Sequence, residues 1–320
     1  MIKKGIFFLI LIGLATLVAC SEEEPCIGVN WYYDEDGDGV GRLDSVVFQC
    51  EQPESFVRNG KLEEDEPEEP TVSPLVPFVF EYGVQKAFYH KQTESPYGFY
   101  LYTPPQYDST TSNTFPLLVY LHGLGERGRS DISQSDLIRA RWNGPPMLIH
   151  KGEWNVTHPM IVATPQTGGI WSASQLHRFI EFLMSELHID QSRIYMTGLS
   201  MGANGCFNYV SGKGEEAYTA AIVPIAGWGD PATGSQYEDV AVWAFHGADD
   251  DVIDVQSSLD MVEAINNATP QTTAKLTIYP GVMHPSWAQT YDGTGMGTES
   301  PDYDPFDINI YDWMFQFQRE

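Results

Sequence analysis

The chain has 320 residues, 44 of them acidic and 17 basic, so its formal net charge at neutral pH is −27. This excess of negative charge repels nucleic acid and anionic lipid, which excludes both as favoured binding partners. The composition fits a protein that works outside the cytoplasm.

The first twenty residues predict a secretory signal. Lys3 and Lys4 precede an apolar run from Ile6 to Leu14, which is too short to cross a bilayer comfortably. The signal ends in Leu17-Val18-Ala19-Cys20, which resembles a bacterial lipobox. The resemblance implies that Cys20 becomes the lipidated first residue of the mature protein. We therefore expect an exported lipoprotein of the outer membrane or cell surface, anchored through Cys20.

Residues 21–60 predict a small acidic module. Cys26 and Cys50 bracket most of it, and a disulfide between them would persist in an oxidising compartment. The alternating carboxylates between them suit a hard cation that prefers oxygen ligands, and nearby glycines let the backbone curl around it. We expect a structural Ca²⁺ site, with an unoccupied acidic loop as the alternative. The predicted ligand set is Asp34, Asp36, Asp38 and Val40.

The calcium loop is not an EF-hand, because Ser45 occupies the twelfth position where a bidentate Glu is needed. The segment from Trp31 to Gly60 instead resembles short calcium-loop repeats of secreted bacterial proteins, similar to thrombospondin type 3 repeats. Residues 61–75 follow as an acidic, proline-rich run that predicts a disordered linker.

Residues 76–320 have a suitable length for one α/β domain with a large core. Short apolar runs predict strands at 87–90, 99–102, 116–121, 160–164, 193–197, 220–226, 240–245 and 275–279. Apolar residues at helical spacing predict helices around 176–187, 255–262 and 306–317. This alternation predicts a mostly parallel central sheet with helices on both faces.

The strand predicted at 193–197 leads into Gly198-Leu199-Ser200-Met201-Gly202. Gly-x-Ser-x-Gly after a buried strand and before a helix is the pattern of a nucleophile elbow, in which a strained turn exposes a serine hydroxyl above the sheet. Ser200 is therefore the predicted nucleophile.

A serine hydroxyl needs an imidazole to accept its proton and a carboxylate to orient that imidazole. Only two histidines follow Ser200 in the chain. His246 directly ends a strand and precedes every plausible acid, so we expect it to have a structural role. His284 follows the last strand and is the predicted general base.

The acid is expected in the loop after the strand that ends near His246. Asp249, Asp250, Asp251 and Asp254 are all available there. The sequence from His246 to Val252 resembles a His-Gly-x-x-Asp pattern of α/β-hydrolases, and that alignment implies Asp250, with Asp249 and Asp251 as alternatives.

The oxyanion formed during acyl transfer needs backbone donors. The first predicted donor is the N–H of Met201, directly after the nucleophile. The second is the N–H of Leu124, in the loop His122-Gly123-Leu124 that follows the strand at 116–121.

Together these motifs resemble secreted bacterial esterases of the α/β-hydrolase superfamily, described as phospholipase/carboxylesterase-like, feruloyl esterase-like or polyhydroxybutyrate depolymerase-like. The resemblance rests on residues 121–128, 144–146, 164–166, 198–202, 246–253 and 284–287. It implies an α/β-hydrolase fold and ester hydrolysis through a serine acyl-enzyme, with no cofactor for catalysis.

We expect the substrate to be an acyl or feruloyl ester on an extracellular polysaccharide of plant or algal origin. The alternatives are a short-chain carboxylesterase or lipase-like hydrolase, and a non-catalytic surface-binding lipoprotein. Tryptophans in predicted loops on the catalytic side could stack on sugar or cinnamoyl rings, or could equally belong to the core. They are Trp142, Trp154, Trp171, Trp228 and Trp287.

Overall fold

The structure is a computed structural model, and it describes residues 29–34, 41–49, 51–58, 60–61, 75 and 78–319. The chain divides into two compact units, residues 1–71 and residues 72–320. Within the described residues, no helix has the length and apolar character needed to cross a membrane.

The first unit contains a four-stranded sheet in the order β3-β1-β2-β4. Its strands are β1 (Val29–Tyr33), β2 (Gly41–Gln49), β3 (Phe56–Val57) and β4 (Gly60–Lys61). Trp31 of β1 is buried, and the guanidinium of Arg58 lies 5.0 Å from the centre of its ring.

Most of the sites predicted in this unit lie outside the described residues. These are Cys20, Cys26, Asp36, Asp38, Val40 and Cys50, and nearly all of the predicted linker. Asp34 is described, and its backbone N–H donates to the carbonyl oxygen of Ser55 at 2.7 Å. The described residues contain no cluster of three or more His, Cys, Asp or Glu side chains suited to a metal ion. The calcium site therefore stays a prediction.

The second unit is built on an eight-stranded sheet in the order β12-β11-β10-β9-β7-β8-β6-β5. The strands are β5 (Gln85–Phe88), β6 (Gly98–Tyr102), β7 (Phe115–Leu121), β8 (Ile161–Gln166), β9 (Ile189–Leu199), β10 (Thr219–Ile225), β11 (Ala241–Gly247) and β12 (Lys275–Tyr279). The strands from β7 to β12 pair in parallel, whereas β6 pairs antiparallel with both β5 and β8. The predicted mostly parallel sheet is confirmed.

Helices cover both faces of this sheet. They are α1 (Gly144–Lys151), α2 (Ala173–Glu186), α3 (Met201–Lys213), α4 (Gln256–Asn267), α5 (Trp287–Tyr291) and α6 (Ile310–Met314), with 3₁₀ turns at Leu124–Glu126, Gln134–Arg141, Gly214–Glu216 and Pro231–Tyr237. Side chains along a strand alternate between faces, so β7 contributes to two cores. Leu117, Val119 and Leu121 pack with α2 and α3, whereas Leu118 and Tyr120 pack with α1 and α6. The chain has the α/β-hydrolase fold.

The last helix is shorter than the sequence predicts. A helix was expected over 306–317, but α6 spans only Ile310–Met314. Asn309 caps it, because its side-chain oxygen accepts from the N–H of Asp312 at 2.8 Å. The segment before the cap lies against β12, since the N–H of Asp304 donates to the carbonyl of Leu276 at 2.9 Å. This segment covers an edge of the sheet, which a sequence pattern does not reveal.

Candidate active site

Ser200 lies on a strained turn between β9 and α3. Its φ of 52° and ψ of −117° are unusual for a residue with a side chain. The turn is also crowded, because a Cβ atom on Gly202 would lie 1.9 Å from the carbonyl oxygen of Leu121. The N–H of Ser200 donates to the carbonyl of Ile225 at 2.9 Å, which fixes the turn against β10. The pattern predicted from the sequence therefore has the geometry of a nucleophile elbow.

The structure places the side chains of His284 and Asp250 beside this serine. Nε2 of His284 lies 2.9 Å from Oγ of Ser200, and Nδ1 of His284 lies 2.7 Å from Oδ2 of Asp250. His284 follows β12 and Asp250 follows β11, so both loops leave the carboxyl edge of the sheet on the same side as the elbow. With Nδ1–H donated to the carboxylate, Nε2 is left free to accept the serine proton.

The structure selects Asp250 among the neighbouring acids. Its side chain is fully buried, whereas Asp249 and Asp251 are exposed. Oδ1 of Asp250 accepts from the N–H groups of Val252 and Ile253, each at 2.9 Å. Burial alone would raise the pKa of Asp250, but the hydrogen bonds from His284, Ile253 and Val252 outweigh burial and lower the pKa. Asp250 is therefore held as a carboxylate.

The loop that carries Leu124 lies against the elbow. A Cβ atom on Gly123 would lie 2.5 Å from the side chain of Leu199, the residue before the nucleophile. The N–H of Gly123 is already used, since it donates to Oε2 of Glu126 at 2.7 Å. Among the hydrogen bonds of the described residues, the N–H of Leu124 has no acceptor. Met201 is the first residue of α3, where backbone N–H groups have no partner within the helix. Both predicted oxyanion donors are thus available.

His122 fixes the start of this loop. It is fully buried, and burial lowers its pKa to about 4, so the imidazole is neutral at physiological pH. Its Nε2 accepts from the N–H of Thr167 at 3.1 Å, which leaves the proton on Nδ1 to donate to the carbonyl of Gly123 at 2.7 Å. The indole N–H of Trp171 donates to the carbonyl of His122 at 3.0 Å.

A partly buried bridge that the sequence analysis missed connects the oxyanion loop to the histidine loop. The carboxylate of Glu126 accepts from the N–H of Gly123 and from the side-chain amide of Asn143. The other end of that amide, Oδ1, accepts from the indole N–H of Trp287 at 3.2 Å. The ring of Trp287 meets the ring of His284 edge to face at 5.1 Å. The available sequence signal is half of a capping box: Glu126 follows Gly123 by three residues and accepts from its backbone N–H, but Gly123 has no side chain to complete the box.

The five tryptophans predicted for the catalytic side divide between core and surface. Trp171 is buried, and Trp154 packs on the ring of Tyr311 at 4.7 Å, so these two are structural. Trp142 and Trp228 are exposed. Trp228 follows β10 directly after Gly227, at which a Cβ atom would lie 3.1 Å from the carbonyl oxygen of Ser200.

Several large apolar side chains are exposed in the loops that leave the carboxyl edge of the sheet. These are Leu124 after β7, Ile170 after β8, Trp228 after β10, Val252 after β11 and Met283 after β12. Ligands of parallel α/β sheets bind at this edge. The loops around the nucleophile therefore present these apolar side chains to a ligand, beside exposed charged residues such as Arg127, Asp249 and Asp251.

Comparison with known proteins agrees with the fold. The family described as Phospholipase/Carboxylesterase matches residues 164–292, a stretch that includes Ser200, Asp250 and His284. No curated protein sequence matches the chain. A solved thermostable esterase is 27% identical with a TM-score of 0.54, over 74% of this chain and 63% of that protein. The present chain thus spans less than two thirds of the length of that esterase.

Two further solved structures are similar to the chain at lower sequence identity. A ferulic acid esterase from Anaeromyces mucronatus, in complex with ferulic acid, is 17% identical with a TM-score of 0.45, over 70% of this chain and 92% of that one. A mutant feruloyl esterase module from Clostridium thermocellum, complexed with sinapinate, is 16% identical with a TM-score of 0.44, over 66% and 84% of the two chains.

Proposed function

We propose that this protein is a serine hydrolase that cleaves carboxylic esters through an acyl-enzyme. The observation that carries the proposal is the continuous hydrogen-bonded chain from Ser200 through His284 to Asp250, with its serine on a strained elbow. The match of residues 164–292 to the phospholipase/carboxylesterase family supports the same reaction. The non-catalytic alternative does not require this geometry.

In the first half of the reaction, Oγ of Ser200 attacks the ester carbonyl carbon while Nε2 of His284 accepts the hydroxyl proton. The electron pair of the carbonyl π bond moves to oxygen, and the resulting oxyanion accepts from the N–H groups of Leu124 and Met201. Collapse of this intermediate expels the alcohol, which takes the proton from His284. Asp250 stays ionised throughout and stabilises the transient imidazolium.

In the second half, a water molecule attacks the acyl-enzyme. His284 accepts a proton from this water and returns it to Oγ of Ser200 as the acid leaves. The groups named above supply the whole of this acid–base and electrostatic chemistry, so the proposed reaction uses no cofactor.

For the substrate, we propose an ester with a bulky, ring-containing acyl or alcohol group, such as an acetyl or feruloyl ester of an extracellular polysaccharide. The supporting observations are the exposed rings of Trp142 and Trp228 and the apolar residues at the carboxyl edge of the sheet. Flat rings stack on aromatic side chains, and cinnamoyl groups and sugars both offer such faces. A short-chain carboxylesterase or lipase-like preference is the alternative.

The test compares the full chain with Ser200→Ala on an aryl acetate, methyl ferulate, acetylated xylan and a long-chain ester. Turnover of at least one ester by the parent protein, and a loss of about 10⁴-fold or more in kcat for the variant, is the expected result. A preference for ferulate or acetylated xylan supports the polysaccharide ester, and a preference for the long-chain ester contradicts it. Equal turnover by both proteins would refute the role of Ser200.

The proposed cellular setting is an exported lipoprotein anchored through Cys20, with a calcium-binding module between the anchor and the hydrolase. Lipid labelling of the parent protein and of Cys20→Ala tests the anchor, since only the parent should incorporate a fatty acid. Calcium titration followed by calorimetry tests the module, and Asp36→Asn with Asp38→Asn should abolish the heat of binding.

A further inference from the structure

Behind the catalytic carboxylate lies a second imidazole that the mechanism above does not use. His246 is the sixth residue of β11, and its side chain is fully buried. Its Nε2 lies 3.0 Å from Oδ2 of Asp250, the same oxygen that His284 contacts at 2.7 Å. One carboxylate oxygen is therefore shared by two imidazole rings.

The surroundings of His246 determine which nitrogen carries its proton. Nε2 faces two acceptors, Oδ2 of Asp250 at 3.0 Å and the carbonyl oxygen of Ile253 at 2.9 Å, so Nε2 must be the donor. Nδ1 lies 2.7 Å from Oγ of Ser258 on α4, and this hydroxyl can donate to it. Burial lowers the pKa of His246, which favours this neutral form.

With His246 included, each oxygen of the Asp250 carboxylate has two polar neighbours. Oδ1 of Asp250 accepts from the backbone N–H groups of Val252 and Ile253. Oδ2 accepts from Nδ1–H of His284 and lies 3.0 Å from Nε2 of His246, whose N–H donates to the carbonyl of Ile253. A carboxylate held at one oxygen by the backbone could still tilt about its side-chain bonds. The contact with Nε2 of His246 restricts this movement at the second oxygen.

We propose that His246 is a positioning residue of the catalytic site, which holds Oδ2 of Asp250 toward His284 and withdraws negative charge from it through the Nε2–H bond. Ser258 fixes the tautomer that makes this donation possible. The inference rests on the proposed hydrolase function, and it adds His246 and Ser258 to the polar contacts behind the chain Asp250–His284–Ser200.

The proposal predicts a change in pH dependence with a definite sign. Without the His246 donor, more negative charge remains on Oδ2, so the cationic form of His284 is stabilised. The acid limb of the pH profile of kcat/KM should then move to higher pH. The other carboxyls of this loop and of α4 are exposed; they are Asp249, Asp251, Asp254, Asp260 and Glu263.

The experiment compares His246→Gln with His246→Met in the full chain. The two side chains are similar in length, but only Gln can place an N–H near Oδ2. For Met we expect kcat to fall about tenfold with KM within about twofold, and the acid limb to rise by about one pH unit. For Gln we expect kcat within about threefold of the parent. Ser258→Ala should also lower kcat and raise the acid limb, by less than His246→Met does. His150→Met, at an exposed position, is the matched control.

The results separate positioning from packing. If Met retains the kcat and the pH profile of the parent, the proposal is overturned. Equal losses for Gln and Met, with the same fall in Tm and an unmoved acid limb, also overturn it, because His246 would then only fill space. The fraction of protein molecules whose Ser200 reacts with a fluorophosphonate gives the concentration of folded sites, and kcat is calculated from that concentration.

Failure of the hydrolase function would be recognised separately. In that case the parent would hydrolyse no ester and would not react with the fluorophosphonate. The ¹⁵N spectrum of the histidine side chains still tests the contact in such a protein. A protonated Nε2 on His246, with a change in the His284 Nδ1–H resonance in His246→Met, supports the positioning role, and a protonated Nδ1 on His246 contradicts it.

Discussion

The strongest test of the proposed site is Asp250→Asn, because the replacement keeps the shape of the side chain but exchanges one of its two hydrogen-bond acceptors for a donor. The carboxylate of Asp250 accepts from the backbone N–H groups of Val252 and Ile253 through Oδ1 and from His284 through Oδ2, which also lies 3.0 Å from Nε2 of His246. An asparagine has one oxygen and one NH₂ group. Its oxygen is expected at the Oδ1 position, since both backbone donors are fixed there.

The NH₂ group of the introduced asparagine would then face Nδ1 of His284. To avoid two opposed donors, His284 must move its proton from Nδ1 to Nε2, the atom that lies 2.9 Å from Oγ of Ser200. Nε2 could no longer accept the serine proton, and no carboxylate would stabilise the imidazolium. Loss of the productive tautomer in a serine triad costs about 10⁴-fold in kcat, or about 5.5 kcal/mol of barrier.

The assay is steady-state hydrolysis of an aryl acetate, with the rate of fluorophosphonate labelling as a second measure of nucleophile activation. Asp249→Asn and Asp251→Asn are matched controls, because they remove the same charge from exposed positions beside Asp250. Both should keep kcat within about twofold of the parent, as expected for screened surface charges. If Asp250→Asn kept a tenth of the parent activity, or if either control lost as much, the assignment of the acid would be wrong.

Two further predictions concern the loops beside the site. Glu126→Gln places an NH₂ group against the N–H of Gly123 or against the side-chain amide of Asn143. This buried mismatch between donors should lower the free energy of unfolding by about 1–3 kcal/mol and should reduce kcat more than it changes KM. Glu153→Gln, at an exposed position, is the control, and a kcat of Glu126→Gln equal to that of the control would contradict the role of the bridge. Burial opposes ionisation of Asp131, but hydrogen bonds from Arg129 and Lys91 outweigh it and lower its pKa. The stability contributed by this carboxylate is therefore present above about pH 4 and is lost as the pH falls. Asp131→Asn should lower the free energy of unfolding by about 1 kcal/mol at pH 7, a value that allows for solvent screening, and by much less in acid. Denaturant unfolding at both pH values measures this difference, and an equal loss at the two would exclude the electrostatic explanation.

The sequence alone determined the fold class, and it predicted the chain order of the candidate catalytic residues. Strand and helix patterns are local properties of the chain, so the eight strands of the large sheet were all anticipated from short apolar runs. The elbow was equally visible, because only glycine tolerates the contact between residue 202 and the carbonyl of Leu121. Chain order within the fold then indicated His284 rather than His246 as the base.

Only the tertiary structure selected among groups that look alike in the sequence. Asp249, Asp250 and Asp251 are consecutive and chemically identical, and only packing decides that Asp250 turns inward while its neighbours stay in solvent. Likewise, Trp171 and Trp228 both follow strands, yet one is buried and the other exposed.

The sequence did not predict the hydrogen bonds that hold the loops of the site in place, for a related reason. Glu126 and Asn143 are 17 residues apart, and Asn143 and Trp287 are 144 apart, so no local pattern connects them. His246 was expected at a strand end, but its contact with Oδ2 of Asp250 depends on how the following loop folds back. Hydrogen bonds between distant segments depend on the three-dimensional path of the backbone, which residue spacing does not encode.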